Sequence, residues 1–475
     1  MLEHVRSRLR EFGQEHLLRW WDELDDPARA ALLAAIDRVD FKLIERLYRQ
    51  STNDLAATES PRDKAGRATP PAGLIRQPRT TSDIAEWQTA RDRGSALLTA
   101  GRVGAILVAG GQGTRLDFPH PKGMFPIGPV SKKSLFQLLA EQLLARGRRA
   151  GVDIPYYVMT SDATHDETVD YFHKHACFGL DPGHVHFFQQ GNMPAVDAAT
   201  GRVLLAGKGK LGDSPDGHGG MLSALASSGM LDDMQQRGIE CLYYHQVDNP
   251  LACVCDPEFL GFHALRDADV SVKVVAKRSP MEKMGVAVDV DGQTQIIEYS
   301  DLPDDIAAQR DATGGIRIWA GSTAIHVFSR AFLQRLVDQR TELPFHIARK
   351  QVAYLDAAGQ VIHPTAENAF KFERFIFDVL PLARKTLVVE ADRDTEFNPL
   401  KNKTGEFSPP DVQRSLMALH RSWLRASGVD VADDVPVEIS PLFALGPEDL
   451  AARLTDLHRM EAGLAESRHG VHVTE

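Results

Sequence analysis

A short apolar run, Ala105 to Ala109, breaks at once into Gly110-Gly111-Gln112-Gly113, and this junction constrains the chain more than any other feature. Thr114-Arg115 and then Pro121-Lys122-Gly123 follow. Glycine lets backbone N–H groups approach a ligand with no Cβ in the way. A strand running into such a loop at the edge of an α/β sheet is where anionic nucleotides bind, and Lys122 is placed to supply a mobile cation over their phosphates. Neither common phosphate loop fits. A Walker A loop needs Lys-Ser/Thr after its last glycine, and Gly113 is followed by Thr114-Arg115; a dinucleotide fingerprint starting at Gly111 has Leu116 where its third glycine belongs.

At 475 residues the chain exceeds one ordinary domain, so a large α/β core with appended pieces is expected. A formal charge of −11 argues against a general nucleic-acid binder, whose footprint is basic. An anionic ligand therefore needs a local cluster of cations and N–H groups. Four cysteines do not make a disulfide framework, and Cys253 and Cys255 lack the second pair that a zinc site needs, which leaves buried thiols. The N-terminus is too charged for a signal peptide and no apolar run reaches membrane-spanning length, so a cytoplasmic protein without membrane contact is expected.

Residues 1–50 read as helices, with Asp26 as N-cap and Pro27 at the first helical position of one of them, and Trp20 and Trp21 as packing residues. Residues 51–80, rich in proline, glycine and small polar residues, read as a linker or wrapped extended segment, and helix resumes near Ile84–Leu98. From Val103 to about Glu390 short apolar runs alternate with helical stretches, the pattern of βαβ units. Strands are expected at 103–109, 154–159, 185–189, 241–247, 270–276, 285–290, 294–299, 316–319, 323–328 and 386–390. Those from 285 to 328 lie too close together for intervening helices and should pair antiparallel. A helix is expected near Val412–Ala426. The expected division is a helical region 1–100, a catalytic α/β domain 101–390 and a small C-terminal domain 391–475.

Further constellations accompany the first. Asp213-Ser214-Pro215-Asp216-Gly217-His218-Gly219-Gly220 precedes helix-compatible residues, giving a second glycine loop at a helix N-terminus. The apolar run from 241 ends in Gln246-Val247-Asp248-Asn249, which puts a carboxylate at the C-terminal end of a strand, a place suited to Mg²⁺ or Mn²⁺ beside phosphates. Lys371 and Lys401 lie in Phe370-Lys371-Phe372-Glu373-Arg374 and Glu396-Phe397-Asn398-Pro399-Leu400-Lys401-Asn402. The run His165, His173, His175, Cys177 reads as an ordinary polar helix, because residues two apart on a helix point about 200° apart.

The first block is similar to the signature L-x-A-G-G-x-G-T-R-L…P-K of sugar nucleotidyltransferases. Over nearly its whole length the chain resembles the eukaryotic-type UDP-N-acetylglucosamine pyrophosphorylases. Gly13-Gln14-Glu15-His16-Leu17-Leu18-Arg19-Trp20-Trp21, Phe187-Phe188-Gln189-Gln190-Gly191, Ile297-Glu298-Tyr299-Ser300, Phe377-Asp378, the Lys401 block and Glu438-Ile439-Ser440-Pro441-Leu442 carry the resemblance in the same order. It implies a Rossmann-like nucleotidyltransferase fold of the GT-A type, with a mainly parallel sheet and N-terminal helical and small C-terminal additions. It implies Ala109, Gly110, Gly111 and Gln190 around uracil and the nucleotide backbone, Gly217 against the nucleoside, and Lys122 on the UTP phosphates beside Arg115. Asp248 is then near the ribose and phosphates or holds Mg²⁺ (or Mn²⁺). Glu298 and Tyr299 lie at the sugar, and Lys371 and Lys401 on the phosphates. The implied substrates are UTP and a sugar 1-phosphate, the products a UDP-sugar and pyrophosphate.

The chain departs from the pattern in two places. The second glycine loop of the acetylglucosamine enzymes reads Asp-Gly-Asn-Gly-Gly, and His218 replaces its asparagine; UDP-glucose pyrophosphorylases carry Gly-His-Gly there. In the family stretch Ala-Gly-Asn-Ile-Ala-Asn-His, where an asparagine lies near the N-acetyl group, this chain has Ala320-Gly321-Ser322-Thr323-Ala324-Ile325-His326, and Ile325 is the expected replacement. The alternatives are the same chemistry on a non-acetylated hexose 1-phosphate, or a non-catalytic UDP-sugar-binding protein.

Overall fold

The computed structural model describes residues 2–52, 60–460, 466–467 and 470–473. The chain forms two compact units, each discontinuous in sequence: the smaller takes Met1–Ser60, Gln190–Ala224 and Glu342–Asp378, the larger Pro61–Gln189, Leu225–Thr341 and Val379–Glu475.

In the smaller unit the helices Leu2–Glu11, Asp26–Arg38 and Phe41–Thr52 bury Leu9, Leu32, Ile36, Phe41 and Ile44 in one apolar cluster, with Trp20 and Trp21 at its margin. The cap of the second helix is Asp25, not Asp26: its carboxylate accepts the Ala28 N–H at 2.9 Å, which places Asp26 inside the helix. Against this cluster lies a small sheet of Val196–Asp197, Phe345–Lys350 and Ala369–Arg374. The last two strands pair antiparallel and interleave apolar with charged residues.

The larger unit is built on a nine-stranded sheet. Its strands are β1 (Val103–Val108), β2 (Tyr156–Thr160), β3 (Val185–Gln189), β4 (Cys241–Gln246), β5 (Val270–Ala276), β6 (Val286–Val290), β7 (Gln293–Ile297), β8 (Ala320–Ser329) and β9 (Thr386–Glu390). The order is β7-β6-β8-β4-β1-β2-β3, and the other edge of β8 takes β5, which in turn pairs β9. β4, β1, β2 and β3 run parallel, as do β5 and β9, whereas β8 is antiparallel to β4, β5 and β6. The antiparallel elaboration from 285 to 328 is present. The expected strand at 316–319 is not: only an isolated bridge between Arg310 and Ile316 forms, and the strand begins at Ala320.

β1, with burial on both faces, is the near-continuous apolar strand that a parallel interior requires. The helices Thr81–Thr99 and Pro257–Leu265 cover the sheet at a very close crossing. A Cβ on Gly94 would stand 1.9 Å from the Pro257 carbonyl oxygen, and one on Gly261 would stand 1.7 Å from that of Ala90, so only glycine permits this approach. The segment expected to be a linker contains the helix Pro61–Arg67 and then runs along the larger unit, bridging Thr69 to Asp289 and Ile75 to Val389. Among the described residues no helix is long and apolar enough to cross a membrane.

Candidate active site

In the larger unit the loop after β1 is closed by its own backbone. The Ala109 N–H donates to Met159 O at 2.7 Å, Lys122 N–H to Gly111 O at 3.0 Å and Gly113 N–H to His120 O at 3.0 Å. Ser161 Oγ donates to Gly110 O at 2.8 Å, tying the loop to the end of β2. Gly111 has no protein atom within 4 Å of where a Cβ would stand, and its φ is not positive. Neither packing nor backbone conformation demands glycine there, and the space over it is open to a ligand. Arg115 is exposed on the turn Thr114–Leu116.

Lys122 opens a helical turn, and Gly123 behind it packs so tightly that a Cβ would fall 2.2 Å from the Phe136 ring. The ammonium projects to the ends of the parallel strands. It lies 3.7 Å from Asp248 Oδ2, with side-chain exposures of 18% for the lysine and 14% for the aspartate, and it donates to the Leu400 carbonyl at 3.4 Å. Asp248 stands two residues past β4, where Val247 N–H still bonds Val108 O at 3.1 Å, and its own carbonyl accepts the Leu400 N–H at 2.7 Å. The structure thus gathers Lys122, Asp248 and the chain leading into Lys401. The carboxylate–ammonium separation exceeds that of a close hydrogen-bonded ion pair, so the two charges are only loosely committed to each other.

Glu298 follows β7, and its Oε1 lies 2.9 Å from where a Cβ on Gly285 would stand; the carbonyl of Gly285 accepts the Ser322 N–H at 2.8 Å. Tyr299 is 49% exposed. Ile325 does not belong to this group: it is 1% exposed and packs in the main apolar core with Val327. β8 bulges between them, with Ile325 opposite Lys273 and Ser322 opposite Val274; Ile325 is buried, whereas Ser322 is half-buried and stands beside Gly285. Ser322 is partly open where Ile325 is not, and the expectation for Ile325 is corrected accordingly.

The smaller unit carries Gln190, Gly217, His218 and Lys371. Its second glycine loop is organised by an ion pair that the motifs did not suggest, between buried Asp216 and Arg374. The Arg374 N–H also donates to Asp216 O at 2.7 Å. A Cβ on Gly220 would fall 2.1 Å from Asp216 Oδ1, so this loop closes over the carboxylate only with glycine there. Burial raises the Asp216 carboxyl pKa, and Arg374 opposes the rise. His218 Nδ1 accepts the Ile376 N–H at 3.1 Å, and the ring stacks on Phe375 with centroids 5.3 Å apart. Burial, with His346 adding repulsion, pushes the His218 pKa down to about 4. The ring is neutral at pH 7 with its proton on Nε2, a fixed donor. Lys371, on the strand opposite Ala348, is half-buried and has no carboxylate partner among the described residues.

Other expectations resolve more simply. Cys253 and Cys255 carry free thiols, and burial pushes the Cys253 pKa up to about 12. His165 Nδ1 shares a hydrogen bond with Thr160 Oγ1 at 2.8 Å, and His175 Nδ1 with the Tyr171 carbonyl at 2.8 Å, so both rings have partners within the fold.

An open glycine loop, a lysine and a strand-end carboxylate on a largely parallel sheet define a nucleotide-handling α/β enzyme. The family model for UTP–glucose-1-phosphate uridylyltransferase matches residues 64–438. The chain belongs to that family. It is 36% identical over 483 residues to the human UDP-N-acetylhexosamine pyrophosphorylase-like protein 1, with 95% of this chain and 94% of that protein covered. To the UDP-N-acetylglucosamine pyrophosphorylase of Saccharomyces cerevisiae it is 34% identical over 459 residues, covering 93% of this chain and 95% of the relative. Its fold matches the crystal structure of the uridine diphosphate N-acetylglucosamine pyrophosphorylase from Trypanosoma brucei with a TM-score of 0.83 and 27% identity, covering 100% of this chain and 98% of that one. The uridylyltransferase class and the nucleotidyltransferase-type fold are thereby shown.

Proposed function

We propose that this enzyme joins the uridylyl group of UTP to a sugar 1-phosphate and releases pyrophosphate. The observation that carries the reading is the Lys122–Asp248 pair at the strand ends, below a glycine loop whose outer face is open. A phosphate monoester is already nucleophilic at neutral pH, so attack of its oxygen on the α-phosphorus of UTP needs no general base. The work left to the protein is positioning and charge neutralisation. The N–H groups of the loop hold the nucleotide. Lys122, Arg115 and Lys401 offset phosphate charge, and Glu298 with Tyr299 orients the sugar.

Asp248 offers one carboxylate, which fits Mg²⁺ or Mn²⁺, ions that take one or two protein oxygens and complete their shell with phosphate and water. When bound, the ion neutralises charge on the phosphates; Asp248 would hold it, and Lys122 would stay on the phosphate side.

N-acetylglucosamine 1-phosphate is the acceptor that the names of the relatives favour. His218 favours a second reading, tolerance of a non-acetylated hexose 1-phosphate. An asparagine offers an acetamido group both a donor and an acceptor, whereas His218 Nε2 offers a donor alone. Unmatched polar groups at such a site weaken discrimination by about ten- to a hundredfold. The expected result is kcat/KM for glucose 1-phosphate within about tenfold of that for N-acetylglucosamine 1-phosphate, with selectivity for the acetylated sugar rising by about tenfold in His218→Asn. A wild-type preference above about a hundredfold for the acetylated sugar overturns the second reading.

A further inference from the structure

Lys273 sits in the middle of β5, between β8 and β9, and its side chain is 2% exposed. Its ammonium donates to Asp256 Oδ2 at 2.5 Å and to the Glu396 carboxylate. Burial alone would strip its proton, but the two carboxylates outweigh that and hold it charged. Asp256 is a helix cap that accepts the Glu258 N–H at 3.0 Å. Glu396 begins the block that ends in Lys401.

The backbone of the same block is gripped by a second side chain. Asn249, 3% exposed and next to Asp248, donates from Nδ2 to Glu396 O at 2.8 Å and accepts the Asn398 N–H at Oδ1 at 3.2 Å. Two residues on, Leu400 bonds Asp248 through its N–H and Lys122 through its carbonyl. Glu396, Asn398 and Leu400 are thus each fastened to the strand ends, so Lys401 leaves a segment whose backbone has little freedom.

We infer that Asn249 and Lys273 are positioning residues for the reaction: they latch Glu396–Leu400 to the sheet and so set where Lys401 stands relative to Lys122 and Asp248. The inference rests on the reading of Lys401 as a cation for the phosphates. Both latch residues are buried, so each acts by removing freedom from a charge that must be in place beforehand.

The test is a mutant cycle on the full-length enzyme, with thermal unfolding to confirm folding. Lys401→Ala is expected to lower kcat/KM about a hundredfold and Asn249→Ala about tenfold or more, chiefly in kcat, with KM for UTP within about threefold. If Asn249 acts through Lys401, the double variant is no more than about threefold worse than Lys401→Ala alone; losses that multiply overturn the inference, as does folded Asn249→Ala with wild-type kcat. Removing Lys273 strands two buried carboxylates, so Glu396→Ala reads that arm instead: it removes the latched carboxylate and leaves Lys273 paired with Asp256. A loss of about three- to tenfold in kcat is expected, again absorbed when Lys401 is absent, and an unchanged kcat removes Lys273 from the latch. Lys401→Ala within threefold of wild type would overturn the Lys401 reading itself, a result distinct from failure of the latch alone.

Discussion

Lys122→Ala should lower kcat/KM for UTP by at least about a hundredfold, because it deletes a charge-assisted contact in a partly desolvated site. The ammonium has only a 3.7 Å approach to Asp248 and a 3.4 Å bond to the Leu400 carbonyl, so its internal partners hold it weakly and leave it capacity for phosphate oxygens. Its loss should leave the fold nearly intact. Leu400 keeps its N–H bond to Asp248 O, Gly123 keeps its packing on Phe136, and Asp248 has some access to water. Steady-state kinetics with a thermal melt of the same preparation checks both halves. Activity within threefold of wild type, in folded protein, would show that the lysine is not at the phosphates.

Asp248→Asn should abolish most metal-dependent turnover, by about a hundredfold or more at the Mg²⁺ concentration that saturates wild type. The amide keeps the shape and retains the backbone bond to Leu400 but loses the charge that attracts the ion. It also leaves Lys122 without its neighbouring carboxylate, so the rate falls while nucleotide affinity holds or rises. A Mg²⁺ titration of rate, alongside nucleotide binding without metal, separates the two effects. An unchanged Mg²⁺ dependence would make the carboxylate structural.

What the sequence made legible here is what is local along the chain. The strand–glycine loop junction, Lys122 shortly after it and Asp248 at a strand end follow from runs of a few residues, and the structure brings Lys122 and Asp248 within 3.7 Å. Features built from distant residues were not legible. Asp216 and Arg374 are 158 positions apart, and nothing in either run shows that one buried carboxylate meets one guanidinium. Lys273 was hidden for another reason. In Val270-Ser271-Val272-Lys273-Val274 the alternation reads as a strand with one solvent face, yet helix Pro257–Leu265 covers that face and supplies His263 to Ser271, while its cap, Asp256, meets Lys273. The strands Phe345–Lys350 and Ala369–Arg374 escaped notice because charged residues interrupt their apolar pattern. Ile316-Arg317-Ile318-Trp319 reads as a strand by composition but lies in a loop, because the pairing with β5 starts only at Ala320 opposite Ala276. Ile325 is hard to place from sequence because a motif says nothing about which face of a strand a side chain takes. Once β8 is in register, Ile325 is a core residue and Ser322 is the partly open one.

The most direct test of the account is pyrophosphate release by the wild-type enzyme with Mg²⁺, measured as initial rates with UTP, CTP, ATP and GTP against N-acetylglucosamine 1-phosphate and glucose 1-phosphate. Membership of the uridylyltransferase family predicts that UTP exceeds each purine triphosphate by at least about a hundredfold with the better sugar. Equal use of ATP, or no pyrophosphate from UTP with either sugar, would contradict it.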